Sequence, residues 1–409
     1  MVVLPSSRAP IVTQLVVYKV GSADEVPGKT GLAHFLEHMM FKGTDTVAPS
    51  EFSRVVSKNG GRDNAYTTYD STGYYQTVSP ERLELVMRME ADRMANLRTT
   101  EKELVPERQV VLEERRMRID NSPSALLDEV VNERLYGRGQ PYGMPISGTV
   151  ADVEALTLAD LRDFYRQHYM PNNAILIVGG DTTAEQVRAL AEKYYGAIPA
   201  RPVAPRRRPD HGAADLPQTV SRADPRVIEP RWSRHYLAPS FSKGESQYAY
   251  ALQVLAQLLG GTETSRLWRA LVVDSKRALS AWAGYRPNSL GLASFEVGVH
   301  PASSVTMADV ESAVAAELSR LIDGGVSTDE LERAQNQLLA AAIYSQDSLQ
   351  SGPRIFGGAL STGSTVADVA AWPERISAVR PDEVVAAARH VCQPQRLVTS
   401  LLTPPPGSR

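Results

Sequence analysis

The chain has 409 residues, of which 43% are hydrophobic and 22% are charged, and its formal net charge is −3. This length suits two domains of about 200 residues each, and the composition is that of an ordinary globular protein. The small net charge gives no sign of a nucleic-acid partner or a polybasic membrane surface, and no apolar run reaches the ~18 residues that a membrane span requires.

The N-terminus and the cysteine content leave the cellular compartment open. Residues 1–4 predict part of a strand rather than a positively charged, apolar leader, which favours a trimmed N-terminus. The single cysteine, Cys392, excludes an intramolecular disulfide and a cysteine-based zinc cluster. One cysteine fits a reducing compartment, but a disulfide-free periplasmic protein has the same composition, so cytoplasm and periplasm both stay open as locations.

In the first half, strand and helix patterns alternate along the chain. Segments rich in β-branched and aromatic residues predict strands at 11–20, 66–78 and 174–178. Apolar periodicity together with start and stop residues predicts helices at 31–41, 80–97 and 106–118. Such a mixture predicts an α+β sandwich in which a sheet packs against helices.

A proline-rich stretch separates the two halves of the chain. Prolines are dense between residues 199 and 205, and the arginines 206–208 follow directly. Since proline lacks a backbone donor and favours extended structure, this stretch predicts an interdomain linker whose arginines are solvated. The predicted organisation is a first domain at 1–200, a linker at 201–218 and a second domain at 219–409.

The second half repeats the pattern of the first. A predicted strand at 232–237 precedes a predicted helix at 248–259, which is followed by Gly-Thr as the helix at 31–41 is. A later helix that begins near Glu330 corresponds to the one around Glu107. A period of about 220 residues is too long for a solenoid repeat, so we predict two homologous α/β sandwich domains from an internal duplication.

The helix predicted at 31–41 carries the motif His34-x-x-Glu37-His38. Residues four apart lie on the same helix face, so both imidazoles can reach one zinc ion at the usual Zn–N distance of ~2.0–2.1 Å. Glu37 lies beside them and can accept a proton from a zinc-activated water, in the inverted order of the commoner H-E-x-x-H motif. The alternative is two chance histidines on an amphipathic helix, which the total of only 7 histidines disfavours.

A catalytic zinc also needs a third protein ligand and an open position for water. The helix predicted at 106–118 offers three carboxylates, Glu107, Glu113 and Glu114. Adjacent helical residues point about 100° apart, so only one of the last two can face the metal. From the residues alone, Glu107 is equally well explained as a surface charge.

The spacing between these elements resembles that of the pitrilysin or insulinase family of zinc metallopeptidases. A Glu lies 76 positions after His38 in the context Glu107-Arg-Gln-Val-Val-Leu-Glu-Glu114. Further similar segments at 9–12, 21–25, 64–68 and 172–174 extend the resemblance over essentially the whole chain. It is strongest to the short branch that includes mitochondrial processing peptidase and its bacterial two-subunit relatives.

The resemblance implies roles for particular residues. It makes Glu114 the third zinc ligand. Glu107 then does not bind the metal itself but orients a ligand or the water by a hydrogen bond. It also implies a substrate-binding edge strand, to which an extended peptide adds as a further strand. That strand consists of Asn64, Ala65, Tyr66, Thr67 and Thr68. The alternative for this segment is a plain Thr/Tyr-rich strand.

The second half lacks the polar set of the first. When the Gly-Thr pairs after the two helices are aligned, other residues stand in place of the two histidines and of the glutamates that follow. These residues are Leu252, Leu255, Ala256, Ala334 and Ala341. Because the second copy is predicted to fold without such side chains, a purely structural role for them in the first copy is disfavoured.

The second half also departs from the family where relatives bind the substrate carbonyl. Active single-chain relatives carry an Arg and, seven residues later, a Tyr, whereas this chain has Val272 and Leu279 at those positions. Each missing donor to a developing oxyanion typically costs ~2.7–4 kcal/mol. The pattern indicates that a partner subunit supplies this carbonyl clamp; Tyr285 and Arg269 are the alternatives within the chain, and the spacing favours neither.

The leading hypothesis is therefore a zinc endopeptidase subunit with one Zn²⁺ per chain, in which Glu37 is the general base. It would act on peptides or unfolded segments inside a chamber formed with a homologous subunit. A homodimeric peptidase and a non-catalytic scaffold subunit are the alternatives. The zinc-binding catalytic domain is then 1–200, and the domain at 219–409 has no metal ligands.

Overall fold

The computed structural model describes residues 1–209 and 216–407. The described chain divides into two compact units, each assembled from three segments. The first unit contains 1–116, 144–207 and 345–369, and the second contains the described parts of 117–143, 208–344 and 370–409. Residues 210–215 of the predicted linker lie outside the described residues.

The first unit contains a five-stranded sheet. Its strands are β1 (Val2–Pro5), β2 (Val12–Tyr18), β3 (Arg62–Thr67), β4 (Thr72–Val78) and β5 (Ala174–Gly180), in the spatial order β1-β5-β2-β4-β3. Only β1 and β5 pair in parallel; the other neighbours are antiparallel. This order leaves β3 at one edge of the sheet.

The prediction of one strand at 66–78 is wrong, because the segment belongs to a hairpin. The Thr68 hydroxyl accepts hydrogen bonds from the backbone N–H groups of Asp70 at 3.2 Å and Ser71 at 2.9 Å. Threonine hydroxyls that bond the backbone two or three residues on favour a turn over continued strand. The chain therefore reverses at 68–71, and β3 and β4 lie side by side.

The second unit contains a sheet of the same design. Its strands are β6 (Gln218–Ala223), β7 (Arg231–Ala238), β8 (Ala278–Tyr285), β9 (Ala293–Pro301) and β10 (Leu397–Thr403), in the order β6-β10-β7-β9-β8. Again only the first pair, β6 and β10, is parallel. The identical order and strand directions confirm the predicted fold class, two homologous units in which a sheet packs against helices.

The helices account for most of the remaining ordered chain. They are α1 (Leu32–Met39), α2 (Glu51–Lys58), α3 (Leu83–Asn96), α4 (Glu101–Arg115), α5 (Pro123–Tyr136), α6 (Val150–Ala155), α7 (Leu158–His168), α8 (Ala184–Tyr194), α9 (Ala249–Gly260), α10 (Met307–Gly324), α11 (Thr328–Ser345), α12 (Ser351–Ser361), α13 (Val366–Ala370), α14 (Trp372–Ser377) and α15 (Pro381–Val391). None of them, within the described residues, has both the length and the apolar character needed to cross a membrane.

One helix begins earlier than predicted. Helix α4 starts at Glu101, five residues before Pro106, so its predicted start at 106 is wrong. The acidic side chains of Glu101 and Glu103 lie in its first turn, where they interact favourably with the positive end of the helix dipole. Helix α4 ends at Arg115, and a π-helical turn occupies 116–120.

The two faces of the first sheet pack against different helices. On the inner face, Val16 and Tyr74 share a hydrophobic core with Leu36 of α1. On the outer face, Leu15 packs with Phe356 of α12. Side chains of a strand alternate between faces, so the inner face carries the even-numbered residues of β2 and the outer face its odd-numbered ones.

The arginines after the proline-rich stretch were predicted to be solvated, and this is wrong for Arg206. Its guanidinium donates to Asp24 Oδ2 at 2.8 Å and to the Asp70 carbonyl at 2.7 Å. Its side chain is only 16% exposed. Arg206 therefore links the start of the linker to two turns of the first unit, through one carboxylate and one backbone carbonyl that lie far away in sequence.

A buried ion pair lies inside the first unit. On α3, Arg93 donates to Glu90 through Nε at 3.0 Å and Nη2 at 2.6 Å, and the residues are 2% and 0% exposed. The guanidinium also lies 4.3–5.0 Å from the ring centroids of Phe41, Phe52 and Tyr74. The aromatic faces and the carboxylate together compensate the buried cation.

Replacing Arg93 with leucine should lower the free energy of unfolding by about 3–5 kcal/mol, because it leaves the Glu90 carboxylate buried without its cation. Urea unfolding followed by circular dichroism measures the loss. The double variant Glu90→Gln/Arg93→Met, which removes both charges, should lose clearly less than the single variant. An equal decrease in the free energy of unfolding in both variants would show that the ion pair between Arg93 and Glu90 does not determine the stability.

Candidate metal centre

The helix that carries the histidine motif is fixed at its N-terminus. The Glu25 carboxylate accepts hydrogen bonds from the backbone N–H groups of Gly31 at 2.9 Å and Ala33 at 2.7 Å. These groups have no partner inside the helix, and a carboxylate there also interacts favourably with the helix dipole. Burial raises the pKa of Glu25 well above its ordinary value, and the two backbone hydrogen bonds oppose that shift.

A glycine is required at the residue before the helix. Gly31 has φ of +85°, in the left-handed region that favours glycine. A Cβ atom at this position would lie 2.8 Å from the Ser147 carbonyl oxygen. Gly31 therefore allows the chain to enter α1 while it passes close to the 147–148 backbone.

The structure brings His34, His38 and Glu114 together. The two histidine rings lie one turn apart on α1, with centroids separated by 4.8 Å. Glu114, on the adjacent helix α4, places its Oε2 atom 3.0 Å from His38 Nε2 and 3.7 Å from His34 Nε2. In the described part of the chain, this is the one group of three or more His, Cys, Asp or Glu residues whose ligand atoms converge closely enough to hold an ion.

The donor atoms and their spacing fit a zinc ion. Two ligand atoms of a tetrahedral zinc site with bonds of ~2.0–2.2 Å are separated by roughly 3.3–3.6 Å. The distances of 3.0 and 3.7 Å from Glu114 to the histidines bracket that range. Imidazole and carboxylate donors also suit zinc, and three protein ligands leave one tetrahedral position for water or substrate.

A second carboxylate fixes the orientation of His38. Glu107 Oε1 lies 2.9 Å from His38 Nδ1, and its Oε2 forms an ion pair with Lys42. Because a carboxylate only accepts, Nδ1 is the donor, and Nε2 is left facing Glu114. This arrangement is the one that directs a histidine nitrogen toward a metal.

The charges around His38 show how strongly these groups interact. Burial disfavours the charged ring, but the hydrogen bonds with Glu107 and Glu114 outweigh it and raise the pKa of His38 to about 9. Burial likewise opposes ionisation of Glu107, yet its bonds with His38 and Lys42 bring its pKa below the ordinary value. The surroundings of His38 therefore favour a positive charge on its ring, and those of Glu107 favour the ionised carboxylate.

Glu37 lies on the same helix, and a residue of the sheet donates a hydrogen bond to it. Its Oε2 atom accepts a hydrogen bond of 2.5 Å from the hydroxyl of Thr67, the last residue of β3. Thr67 was predicted only as a residue of the substrate strand. The structure adds that it contacts the residue predicted to be the general base.

Sequence reasoning missed Lys42 altogether. Lys42 lies four residues after His38, so the same spacing argument that links His34 with His38 could have placed it near the site. Lysines just after a helix are usually solvated, so the local pattern gives no reason to assign this one to a site. Its contact with Glu107 depends on the packing of α1 against α4, which no local pattern specifies.

The predicted substrate strand lies at the edge of the first sheet. Residues Asn64, Ala65, Tyr66 and Thr67 belong to β3, while Thr68 lies in the following turn. No second strand of the described chain pairs with the other side of β3. Ala65 packs in the core of the inner face, whereas the Tyr66 ring packs in the cluster of the outer face.

The corresponding region of the second unit is apolar. Leu252, Leu255 and Ala256 of α9 and Ala334 of α11 pack within its hydrophobic core. Val272 contacts the same core, and Leu279, on the edge strand β8, is 52% exposed. Tyr285 already donates its hydroxyl hydrogen to the Pro239 carbonyl at 2.5 Å, which disfavours it as a carbonyl-binding residue.

Comparison with known proteins covers both halves of the chain. Residues 1–150 match the family described as insulinase, peptidase family M16, and residues 155–338 match the peptidase M16 inactive domain. A zinc protease from Helicobacter pylori, PqqE, is 32% identical over 325 residues, which cover 78% of this chain and 71% of the relative. An uncharacterized zinc protease from Streptomyces coelicolor is 32% identical over 389 residues, covering 91% of this chain and 80% of the relative.

Solved structures share the fold over nearly the full length. A crystal structure of a protease from Helicobacter pylori has a TM-score of 0.90 and 27% identity, and the match covers 98% of this chain and 96% of that one. A putative M16-like peptidase from Alicyclobacillus acidocaldarius, at 20% identity, has a TM-score of 0.86 with 98% and 95% covered. From its sequence, its two-unit fold and these relatives, the chain belongs to the insulinase family of peptidases, peptidase family M16.

Proposed function

We propose that this protein is a zinc-dependent endopeptidase subunit that hydrolyses peptides or unfolded protein segments. The observation that carries the proposal is the convergence of His34, His38 and Glu114, with Glu37 beside them at the end of an edge strand. The names of the relatives as zinc proteases support the same activity. Glu114, rather than Glu113, is the carboxylate assigned to the metal, because Glu113 pairs with Arg116 instead.

The metal would be held by the two histidine Nε2 atoms and the Glu114 carboxylate. A zinc ion in this position supplies a Lewis acid that makes water acidic enough to lose a proton near neutral pH. Glu107 and Lys42 keep the His38 ring in the orientation that the metal requires. The protein thus holds the three zinc ligands in position before the substrate binds.

Glu37 is assigned as the general base. Thr67 donates a hydrogen bond to one of its carboxylate oxygens, which restricts the side chain. We assign to this carboxylate the proton of the attacking water. As the peptide bond breaks, Glu37 returns that proton to the leaving amine. Thr67 therefore links the position of the base to the strand on which the substrate lies.

The substrate is assigned to the free edge of β3. An extended peptide that adds to this edge bonds through its backbone, so its sequence matters less than its freedom to extend. This mode favours peptides and unfolded segments over folded proteins. The residues concerned are Asn64, Ala65, Tyr66, Thr67 and Thr68.

A homologous partner subunit is proposed to complete the site. Val272 and Leu279 cannot donate side-chain hydrogen bonds to a developing oxyanion, and the Tyr285 hydroxyl is occupied by Pro239. A subunit that carries Arg and Tyr at the corresponding positions would supply the missing donors. A heterodimer is therefore favoured over a homodimer.

A non-catalytic scaffold is the second candidate, and the match of residues 155–338 to an inactive M16 domain is the observation that favours it. That match covers none of the residues of the candidate metal centre. It describes the half in which Leu252, Leu255 and Ala256 replace the polar motif. Zinc content and hydrolysis separate the two candidates.

The purified protein should contain one zinc ion per chain, because one set of ligands converges among residues 1–209 and 216–407. His38→Ala and Glu114→Ala should each lose the metal, as measured by mass spectrometry of the metal content. Glu113→Ala is the matched control: it removes the neighbouring carboxylate, and zinc should stay bound. No zinc in the wild type, or two ions at full occupancy, would contradict the proposed site.

Glu37→Gln should keep the zinc and abolish peptide hydrolysis, because the amide retains the shape of the carboxylate but cannot accept the proton. Metal content and cleavage of an unstructured fluorogenic peptide are measured on the same sample. If Glu37→Gln also emptied the site, Glu37 would be a ligand. Undiminished hydrolysis would show that another residue acts as the base.

Mixing this chain with a homologous subunit that carries the Arg and Tyr should raise peptidase activity by about 10² or more, the scale of one or two oxyanion donors. Each subunit alone and the equimolar mixture are assayed on the same peptide. A partner whose clamp tyrosine is replaced by phenylalanine should give a much smaller gain. Full activity from this chain alone would overturn the two-subunit proposal.

A further inference from the structure

An arginine from the second half of the sequence lies beside the edge strand of the first sheet. Arg354 belongs to α12, which packs on the outer face of this sheet within the first unit. Its guanidinium carbon lies 5.3 Å from the centroid of the Tyr66 ring and 4.7 Å from that of Tyr75. Arg354 thus stands over the outer face at the point where β3 and β4 pair.

The Arg354 guanidinium is held by aromatic rings and not by a carboxylate. Within residues 1–209 and 216–407, no acidic side chain forms an ion pair with it, and its side chain is exposed. Two ring faces restrict the plane of the guanidinium without using its N–H donors. A cation fixed in this way keeps its donors available for an incoming acceptor.

The same face of β3 carries a second arginine. Arg62 and Tyr66 are an even number of residues apart, so their side chains project to the same face. Arg62 is exposed and has no ion-pair partner among the described residues. The outer face at this edge of the sheet is therefore positively charged.

An added peptide strand would present its side chains alternately to the inner and the outer side of the sheet. Side chains that face the inner side approach Thr67 and Glu37, and those that face the outer side approach Tyr66 and Arg354. Directly opposed side chains on paired strands have Cβ atoms ~4.5–5.5 Å apart. The Tyr66 ring lies over Gly73 of β4, so the guanidinium stands on the β4 side of β3. A peptide side chain beside Tyr66 must therefore be long and extend across β3 to approach it, which favours glutamate over aspartate.

We propose that Arg354 is a specificity-determining residue, which selects peptides with an acidic side chain at the outward-facing position beside Tyr66. This inference rests on the proposed function, in which β3 receives the substrate as an added strand. A carboxylate can accept two parallel N–H bonds from a guanidinium, whereas an amide lacks the charge and a lysine side chain is repelled. Arg62 extends the same preference toward the beginning of β3.

The expected preference is modest, because the pair is exposed to solvent. A peptide with Asp or Glu at this position should bind about two- to fivefold more tightly than the matched Asn or Gln peptide, the range for exposed ion pairs. The difference should shrink at high salt, since screening weakens exposed pairs. A preference that resists salt would indicate a different origin.

The test measures binding rather than turnover, so that it stands apart from the catalytic proposal. Zinc-loaded Glu37→Gln protein is titrated with fluorescent Ala/Ser-rich peptides that carry a single Glu, Gln or Lys moved along the sequence. Glu should strengthen binding at the outward-facing position beside Tyr66, and Lys should weaken it there. Arg354→Gln should abolish the difference, and Arg354→Glu should reverse it in favour of Lys.

Arg188 provides the matched control. It is an exposed arginine on α8, a helix that packs near β1 at the opposite edge of the same sheet. Arg188→Glu makes the same change of net charge as Arg354→Glu, and it should leave the ratio of Glu-peptide to Gln-peptide binding unchanged. If both variants changed the ratio equally, the preference would come from the overall charge of the protein, and the assignment of Arg354 would be overturned.

The two proposals fail in distinguishable ways. Equal binding of the Glu and Gln peptides at every position, with hydrolysis by the wild type intact, overturns the role of Arg354 and leaves the peptidase proposal standing. Absence of peptide binding at any position, with and without the partner subunit, overturns both. Selective binding without hydrolysis by the wild type supports Arg354 and contradicts the proposed activity.

Discussion

The candidate metal centre depends on how α1 packs against α4. His34 and His38 lie on one helix and Glu114 on the other, so a rotation or slide of either helix would separate the ligand atoms. Helix α1 is anchored at both ends against such movement. At its N-terminus the Glu25 carboxylate accepts two backbone hydrogen bonds, and just beyond its C-terminus Lys42 forms an ion pair with Glu107 of α4. Each anchor joins α1 to a different part of the first unit.

The charges of the centre explain why the anchor at the C-terminal end of α1 is an ion pair. Three carboxylates, of Glu37, Glu107 and Glu114, lie around two histidines, and like charges this close repel one another. Lys42 compensates one carboxylate, and the raised pKa of His38, about 9, reflects the demand for further positive charge. A divalent cation bound by these side chains would compensate the repulsion between the carboxylates. The stability of this arrangement is thus coupled to the ion it is proposed to hold.

Helical spacing predicts His34, Glu37 and His38 of the centre, whereas Glu114 and Glu107 were assigned to it from the resemblance to the family. The four-residue spacing places His34 and His38 on one helix face, and the 100° between neighbours separates Glu113 from Glu114. What it missed are contacts between segments that are distant in sequence. The Lys42–Glu107 pair needs the packing of two helices, and the Thr67–Glu37 hydrogen bond needs the hairpin of β3 and β4, which was predicted as a single strand. The position of α12 on the first sheet was likewise beyond any local pattern, because residues 345–369 follow most of the second unit in sequence.

The duplication provides an internal control for the meaning of the polar residues. Both units build the same sheet order, and α9 occupies in the second unit the place that α1 has in the first. In α9 the corresponding positions are Leu252, Leu255 and Ala256, which pack in an apolar core. The fold therefore does not need polar side chains there, and burying His34 and Glu37 costs desolvation that leucine would avoid. Only the first unit bears this desolvation cost, and a metal-dependent reaction explains why its polar residues are kept. The difference between the two units therefore supports a metal-dependent function better than either unit alone.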